Sequence, residues 1–185
     1  MKFVCLGWGS LIWDEARRAE LPTQGGWEPD GPNLPIEFAR KSADGRLTLV
    51  ITPGAKPVPV LWAVLDVGSI EDAIACLAGR EGPMGGMPTA ERNIGRYPGG
   101  DESPEALEID AWQSGRDFAG VVWTALRPNF TNRAGGVPLL SDAQDHLASL
   151  SGPAAACAQN YIRNAPAQIA TEYRAAITIA EGRRG

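Results

Sequence analysis

The chain has one histidine and three cysteines in 185 residues. His146 lies in "SDAQDHLASL", where it reads as a residue of a helix surface or helix end. A lone His leaves no His cluster for a metal. It also leaves no Ser-His-Asp or Cys-His triad unless His146 is itself the base, and nothing near it resembles a nucleophile elbow. Cys5, Cys76 and Cys157 form no CxxC and no Cys/His spacing, so they read as unpaired thiols buried in a reducing compartment, with no metal and no cofactor expected. An excess of positive charge is also missing: 17 Lys and Arg stand against 22 Asp and Glu, a net charge of −5. A nucleic-acid partner is therefore not expected, because phosphate binding needs a basic surface. No apolar run approaches the roughly 20 residues of a membrane-spanning helix. The start, one Lys before a short apolar stretch broken by Gly7, predicts no secretory leader. These absences together predict a cytoplasmic protein without membrane contact.

What is present is an ordinary core composition, 44% hydrophobic and 21% charged, in a length that suits a single domain over 1–185. Residues 2–6 (KFVCL) read as a buried strand. Residues 15–34, rich in Pro, Gly and charge, read as a surface excursion. "IEFAR" (36–40), "GRLTLVI" (45–51) and "VPVLWAVLDV" (58–67) read as an antiparallel meander, with Asp44-Gly45 as the first reversal. The period then changes. Ser69 followed by Asp72 opens a capped helix with Ile70, Ala73, Ile74 and Leu77 on one face, ending at Gly79 or Gly82. Residues 82–106 read as loop. "ALEIDAWQS" (106–114) and "FAGVVWTALRP" (118–128) read as a second hairpin, with Trp62, Trp112 and Trp123 in the core. From Ser141 the pattern is helical, with Pro153 and Pro166 in first turns. The order predicts an α+β fold: a mainly antiparallel, partly closed or barrel-like sheet flanked by helices.

The chemistry concentrates in "FVCLGWGSLIWD" (3–14), where a strand ends in Gly7-Trp8-Gly9-Ser10. The third glycine of a dinucleotide loop and the Lys of a P-loop are both missing. A bulge or tight turn at a strand end accounts for the glycines by itself. A functional turn would instead present successive N–H groups to a carboxylate or oxyanion, with Gly supplying unusual φ and close approach. On that reading a β-branched residue at Gly9 costs binding more than folding.

"GWGSLIWD" resembles the "GYGSLIW" signature of the gamma-glutamylcyclotransferase superfamily, its ChaC-like branch above all. The resemblance continues in order through "FARKSADGRLTLVI", "VLWAVLDV" and "AIACLAGREG", and more loosely through "NYIRNAP". It covers residues 2–81. It implies a cofactor-independent lyase that cleaves a gamma-glutamyl amide by attack of the substrate's own α-amine on its γ-carbonyl, releasing 5-oxoproline. It also implies that Gly7, Trp8, Gly9, Ser10, Leu11 and Ile12 hold the glutamyl group, that Tyr161 lines the pocket, and that Glu81 carries the proton. Read without the resemblance, Glu81 is a helix-end carboxylate paired with Arg80 or Arg92, Glu91 is a second candidate base, and Tyr161 packs a helix face. Two departures stand out: Trp8 replaces the family's Tyr, and segments 15–34 and 82–100 match no family pattern. These segments would wall the pocket, so glutathione is not singled out as substrate: a different gamma-glutamyl amine, or another small amide, is equally open. A non-catalytic member of the same fold, binding a small ligand or a protein, is the alternative. Oligomeric state is not legible.

Overall fold

The computed structural model describes residues 1–15, 20–81, 93–99, 103–130 and 136–182, with backbone only for 178–182. The fold is α+β, with a mostly antiparallel mixed sheet and helices. The chain divides into two compact units. The first comprises Met1–Gly7, Asp14–Leu34 and Pro59–Leu126; the second comprises Trp8–Trp13, Pro35–Val58 and Arg127–Gly185.

The first unit is built on a five-stranded sheet. Its strands are β1 (Lys2–Gly7), β2 (Thr23–Glu28), β7 (Leu61–Leu65), β8 (Ile94–Tyr97) and β9 (Phe118–Thr124), in the order β2-β7-β1-β9-β8. β1 pairs antiparallel with β7 and parallel with β9, placing Cys5 opposite both Ala63 and Val122. Helix α2 (Ile70–Glu81) packs on β9 and β1. Its start follows from local chemistry: the Ser69 hydroxyl accepts from the Asp72 N–H at 3.1 Å and donates to the Asp72 carboxylate at 2.7 Å. The predicted apolar stripe is the packed face, with Ala73 and Leu77 buried and Ile70 and Ile74 half-buried. Burying a side chain such as Leu77 contributes about 1.5–3 kcal/mol.

Several expectations for this unit need correction. Residues 106–113 are not a strand: α3 spans Pro104–Gln113, with the Ser103 side chain capping the Ala106 N–H and Pro104 in the first turn. The excursion at 15–34 contributes the edge strand β2, and the stretch read as loop contributes β8. The segment 58–67 splits at Val60 into the short β6 (Val58–Pro59) and β7, and β7 pairs with β1 and β2 rather than extending the meander. Trp123 is buried, whereas Trp62 and Trp112 are half-buried and satisfy their indole N–H groups on the side chain and carbonyl of Asp30, each at 2.7 Å. Arg116 stacks on Trp112 and donates to the Asp30 carboxylate at 2.9 Å. Bonds from Trp62 first, then Arg116, hold the Asp30 carboxyl below its ordinary range.

The second unit centres on the hairpin β4 (Ile36–Lys41) and β5 (Leu47–Ile51). Its reversal is the one expected at Asp44-Gly45. Gly45 has a φ of +88°, a region that favours glycine, and Ser42 and Arg46 close the turn at 2.9 Å. The unit also holds α1 (Ser10–Trp13), α4 (Leu140–Ser149), α5 (Gly152–Asn164) and α6 (Glu172–Gly182); α6 packs on β4, α4 on α6 and α1 on α5, while β3 (Asn33–Leu34) belongs to the first unit. Pro153 sits in the first turn of α5, as expected. Pro166 instead opens a turn, closed by the Ile169 N–H on its carbonyl, and the last helix starts only at Glu172. Buried Glu37 on β4 fixes that start. Its carboxylate accepts from the Thr171 hydroxyl at 2.7 Å and from the Tyr173 N–H at 3.3 Å, and Thr171 in turn caps the Arg174 N–H. His146 lies in the last turn of α4, its Nε2 2.7 Å from the Gly45 carbonyl oxygen.

All three cysteines are unpaired. Cys5 is buried, but Cys157 is exposed on α5 and Cys76 is half-buried, so the expectation of three buried thiols holds only for the first. Among the described residues, no helix is long and apolar enough to cross a membrane.

Candidate functional site

In the first unit the site is the end of β1. Parallel pairing puts Cys5 level with Val122, and β9 ends two residues further on at Thr124. Glu81, half-buried at the C-terminus of α2, accepts a hydrogen bond from the Thr124 hydroxyl at 3.3 Å. The helix therefore delivers its carboxylate to the end of β9, the strand that pairs in parallel with β1. The same carboxylate acts on Cys5, whose thiol is pushed far above its ordinary range by burial first and by the Glu81 charge second. A thiol so held stays protonated and is not a nucleophile. Arg80, also buried, forms an ion pair at 3.4 Å with Asp14, the residue that follows α1. Glu91, Arg92 and Gly82 lie outside the described residues.

In the second unit, Trp8 and Gly9 are buried and lead into α1, while Ser10, Leu11 and Ile12 are half-buried. The Ile12 N–H closes the turn on the Gly9 carbonyl at 3.0 Å. Strand β5 has β4 as its strand neighbour, so its other edge needs partners elsewhere. Two side chains supply them at Leu49. The Trp8 indole N–H donates to the Leu49 carbonyl at 3.1 Å, and the Leu49 N–H donates to the Tyr161 hydroxyl at 3.3 Å. Tyr161 is buried on α5 and meets the rings of Phe38 and Trp13 edge-on, at 6.4 and 5.9 Å between centroids.

This geometry revises the reasoning about glycine. Neither Gly7 nor Gly9 has a positive φ, so unusual backbone conformation is not what requires them. At Gly9 the requirement is space: a Cβ there would lie 2.5 Å from the Tyr161 hydroxyl. The close approach is to a buried phenol, so a β-branched residue at Gly9 strikes the packing of this unit first. Trp8 spends its indole N–H on Leu49.

Two residues that sequence reasoning passed over belong here. Trp13 ends the very motif that drew attention to the turn, so its position was visible. Thr124 carried no local signal, because only strand pairing brings it to Glu81. Among the described residues no three His, Cys, Asp or Glu side chains gather to hold a metal ion. Compared with protein-family models, with curated proteins and with solved structures, the chain matches none.

Proposed function

We propose that the chain is a gamma-glutamylcyclotransferase-type lyase acting on a small gamma-glutamyl amide. The observation that carries this reading is the placement of Glu81 at the end of β9, the strand beside β1, fastened to Thr124. The motif resemblance supplies the reaction. A substrate α-ammonium cannot attack at neutral pH. Glu81 takes one of its protons, the amine nitrogen attacks the γ-carbonyl carbon, and the cationic nitrogen so formed gives its second proton to bulk water before the tetrahedral oxyanion collapses. The proton returns from Glu81 to the leaving nitrogen as the amide bond breaks, giving 5-oxoproline and a free amine. Proton transfer of this type contributes about 10²–10⁴-fold. Closing a five-membered ring adds the advantage of an intramolecular attack, with effective molarities of about 10⁵ M or more in a held conformer. The Gly7–Ile12 segment holds the glutamyl group through its backbone N–H groups other than that of Ile12, which closes the turn on Gly9. Partial closure of the sheet, a single functional domain over 1–185 and a cytoplasmic location belong to the same proposal.

A second reading, a non-catalytic member of the same fold that binds a small ligand or a protein, is favoured by one observation. The polar groups of Trp8 and Tyr161 both serve the Leu49 backbone, as they would in a turn kept for packing. A panel of gamma-glutamyl amides, glutathione among them, separates the two. Release of 5-oxoproline supports the lyase, and saturable binding without release supports the binder.

A further inference from the structure

We infer that the indole N–H of Trp13 is a ligand-binding group, donating to a carboxylate or carbonyl oxygen of the gamma-glutamyl ligand; this rests on the cyclotransferase reading above. The Trp13 Nε1 atom is buried from solvent and has no hydrogen-bond partner among the described residues. Buried side-chain donors in native proteins are overwhelmingly paired, so an orphan needs an explanation. Three other indoles of this chain conform: Trp8 donates to the Leu49 carbonyl at 3.1 Å, and Trp62 and Trp112 donate to Asp30 at 2.7 Å each.

The Trp13 ring is also held in place rather than free to seek an acceptor. It ends α1, which packs on α5, and it meets the Tyr161 ring edge-on at an interplanar angle of 72°. Tyr161 is in turn fixed by the Leu49 N–H, by Phe38 and by Arg46, whose guanidinium carbon lies 5.6 Å from the ring centroid. In the unliganded chain Nε1 is covered, so a ligand's acceptor reaches this donor, three residues beyond Ser10 on the segment that carries the glycine turn, by displacing what covers it while the ring stays placed. Indole N–H groups donate only, which sets the ligand atom as an oxygen acceptor rather than an ammonium.

The test uses the full chain with indole-¹⁵N labelling, Trp13→Phe assigning the Trp13 resonance while keeping the ring contact with Tyr161. 5-Oxoproline and a gamma-glutamyl amide are titrated, and 5-oxoproline release is followed in parallel. The inference expects the Trp13 indole proton to move downfield on saturation. It also expects Trp13→Phe to raise KM about tenfold or more, as for loss of a hydrogen bond to a charged acceptor, with kcat little changed and the melting temperature kept or raised. If other resonances shift while that of Trp13 stays, or if Trp13→Phe leaves KM unchanged, the inference is overturned and the cyclotransferase reading stands. If neither compound shifts any resonance and no 5-oxoproline forms, the reading itself fails and the inference with it.

Discussion

The hydroxyl of Tyr161 occupies the space beside Gly9 that any other residue's Cβ would need, 2.5 Å from where that carbon would sit. The two residues are far apart in the chain, and each fixes what the other can be. Trp8 and Tyr161 grip the backbone of Leu49 from the two sides of that contact, so the turn after β1 is a packed structure.

Gly9→Ala is therefore expected to lose about 1–3 kcal/mol of stability, the usual cost of overpacking a buried site. Tyr161→Phe removes the obstructing oxygen and leaves the Leu49 N–H without that acceptor, costing about 1–3 kcal/mol. The Gly9→Ala/Tyr161→Phe double variant should lose clearly less than the sum of the two. Denaturant unfolding of all four proteins measures this coupling. Strict additivity would mean that the contact does not limit residue 9.

Glu37 predicts a pH dependence. Burial, the largest influence, raises its carboxyl above the ordinary range. The bonds from Thr171, Phe38 and Tyr173 pull it down, and the nearby Glu172 charge adds to the rise. The folded state then holds a proton that the unfolded state has released, over the interval between the ordinary carboxylate value and the raised one. That contribution is fully present below the unfolded pKa and is lost as pH rises through the folded pKa. Unfolding free energy in the wild type should fall across this interval, and Glu37→Gln should flatten the fall. A slope identical in both proteins would remove Glu37 as its source.

The cysteines should separate by access. Cys157 is exposed on α5 and Cys5 is fully buried in β1, with a thiol that burial keeps protonated. A water-soluble maleimide should label Cys157 rapidly in the native protein and Cys5 only on unfolding, as peptide mapping would show. Native labelling of Cys5 would contradict the burial of the β1 end.

What was legible in the sequence was local. Ser69, Asp72 and the 3.6-residue stripe place α2, and Asp44-Gly45 places the β4–β5 turn, because each signal lies within a few residues of the structure it specifies. The alternation in "ALEIDAW" reads as a strand, yet the segment is helical, because Ser103 caps the Ala106 N–H and Pro104 fits the first turn. The partners of β7 were illegible because β1 and β2 come from distant segments, and β2 itself carries Gly25 and Gly26 where β-formers are expected. The bond from Thr171 to Glu37 spans 134 positions, and nothing near either residue announces it. At the candidate site, the motif and Glu81 were visible, while Thr124, the Trp8–Leu49–Tyr161 arrangement and the orphaned Trp13 donor depend on packing.

The most direct measurement is 5-oxoproline release from a gamma-glutamyl amide by the wild type and by Glu81→Gln, with melting temperature recorded for both. Glu81→Gln keeps size and shape but cannot accept the proton. Turnover by the wild type is expected, with a fall of about 10²-fold or more in the variant, little change in substrate affinity and an intact fold. The bond from Thr124 is partly exposed and neutral on one side, so its perturbation costs about 1 kcal/mol. Equal turnover in the two proteins, or a lowered melting temperature with an unchanged rate, would contradict the assignment of Glu81 as the proton carrier. Absence of 5-oxoproline with every amide tested would contradict the lyase itself.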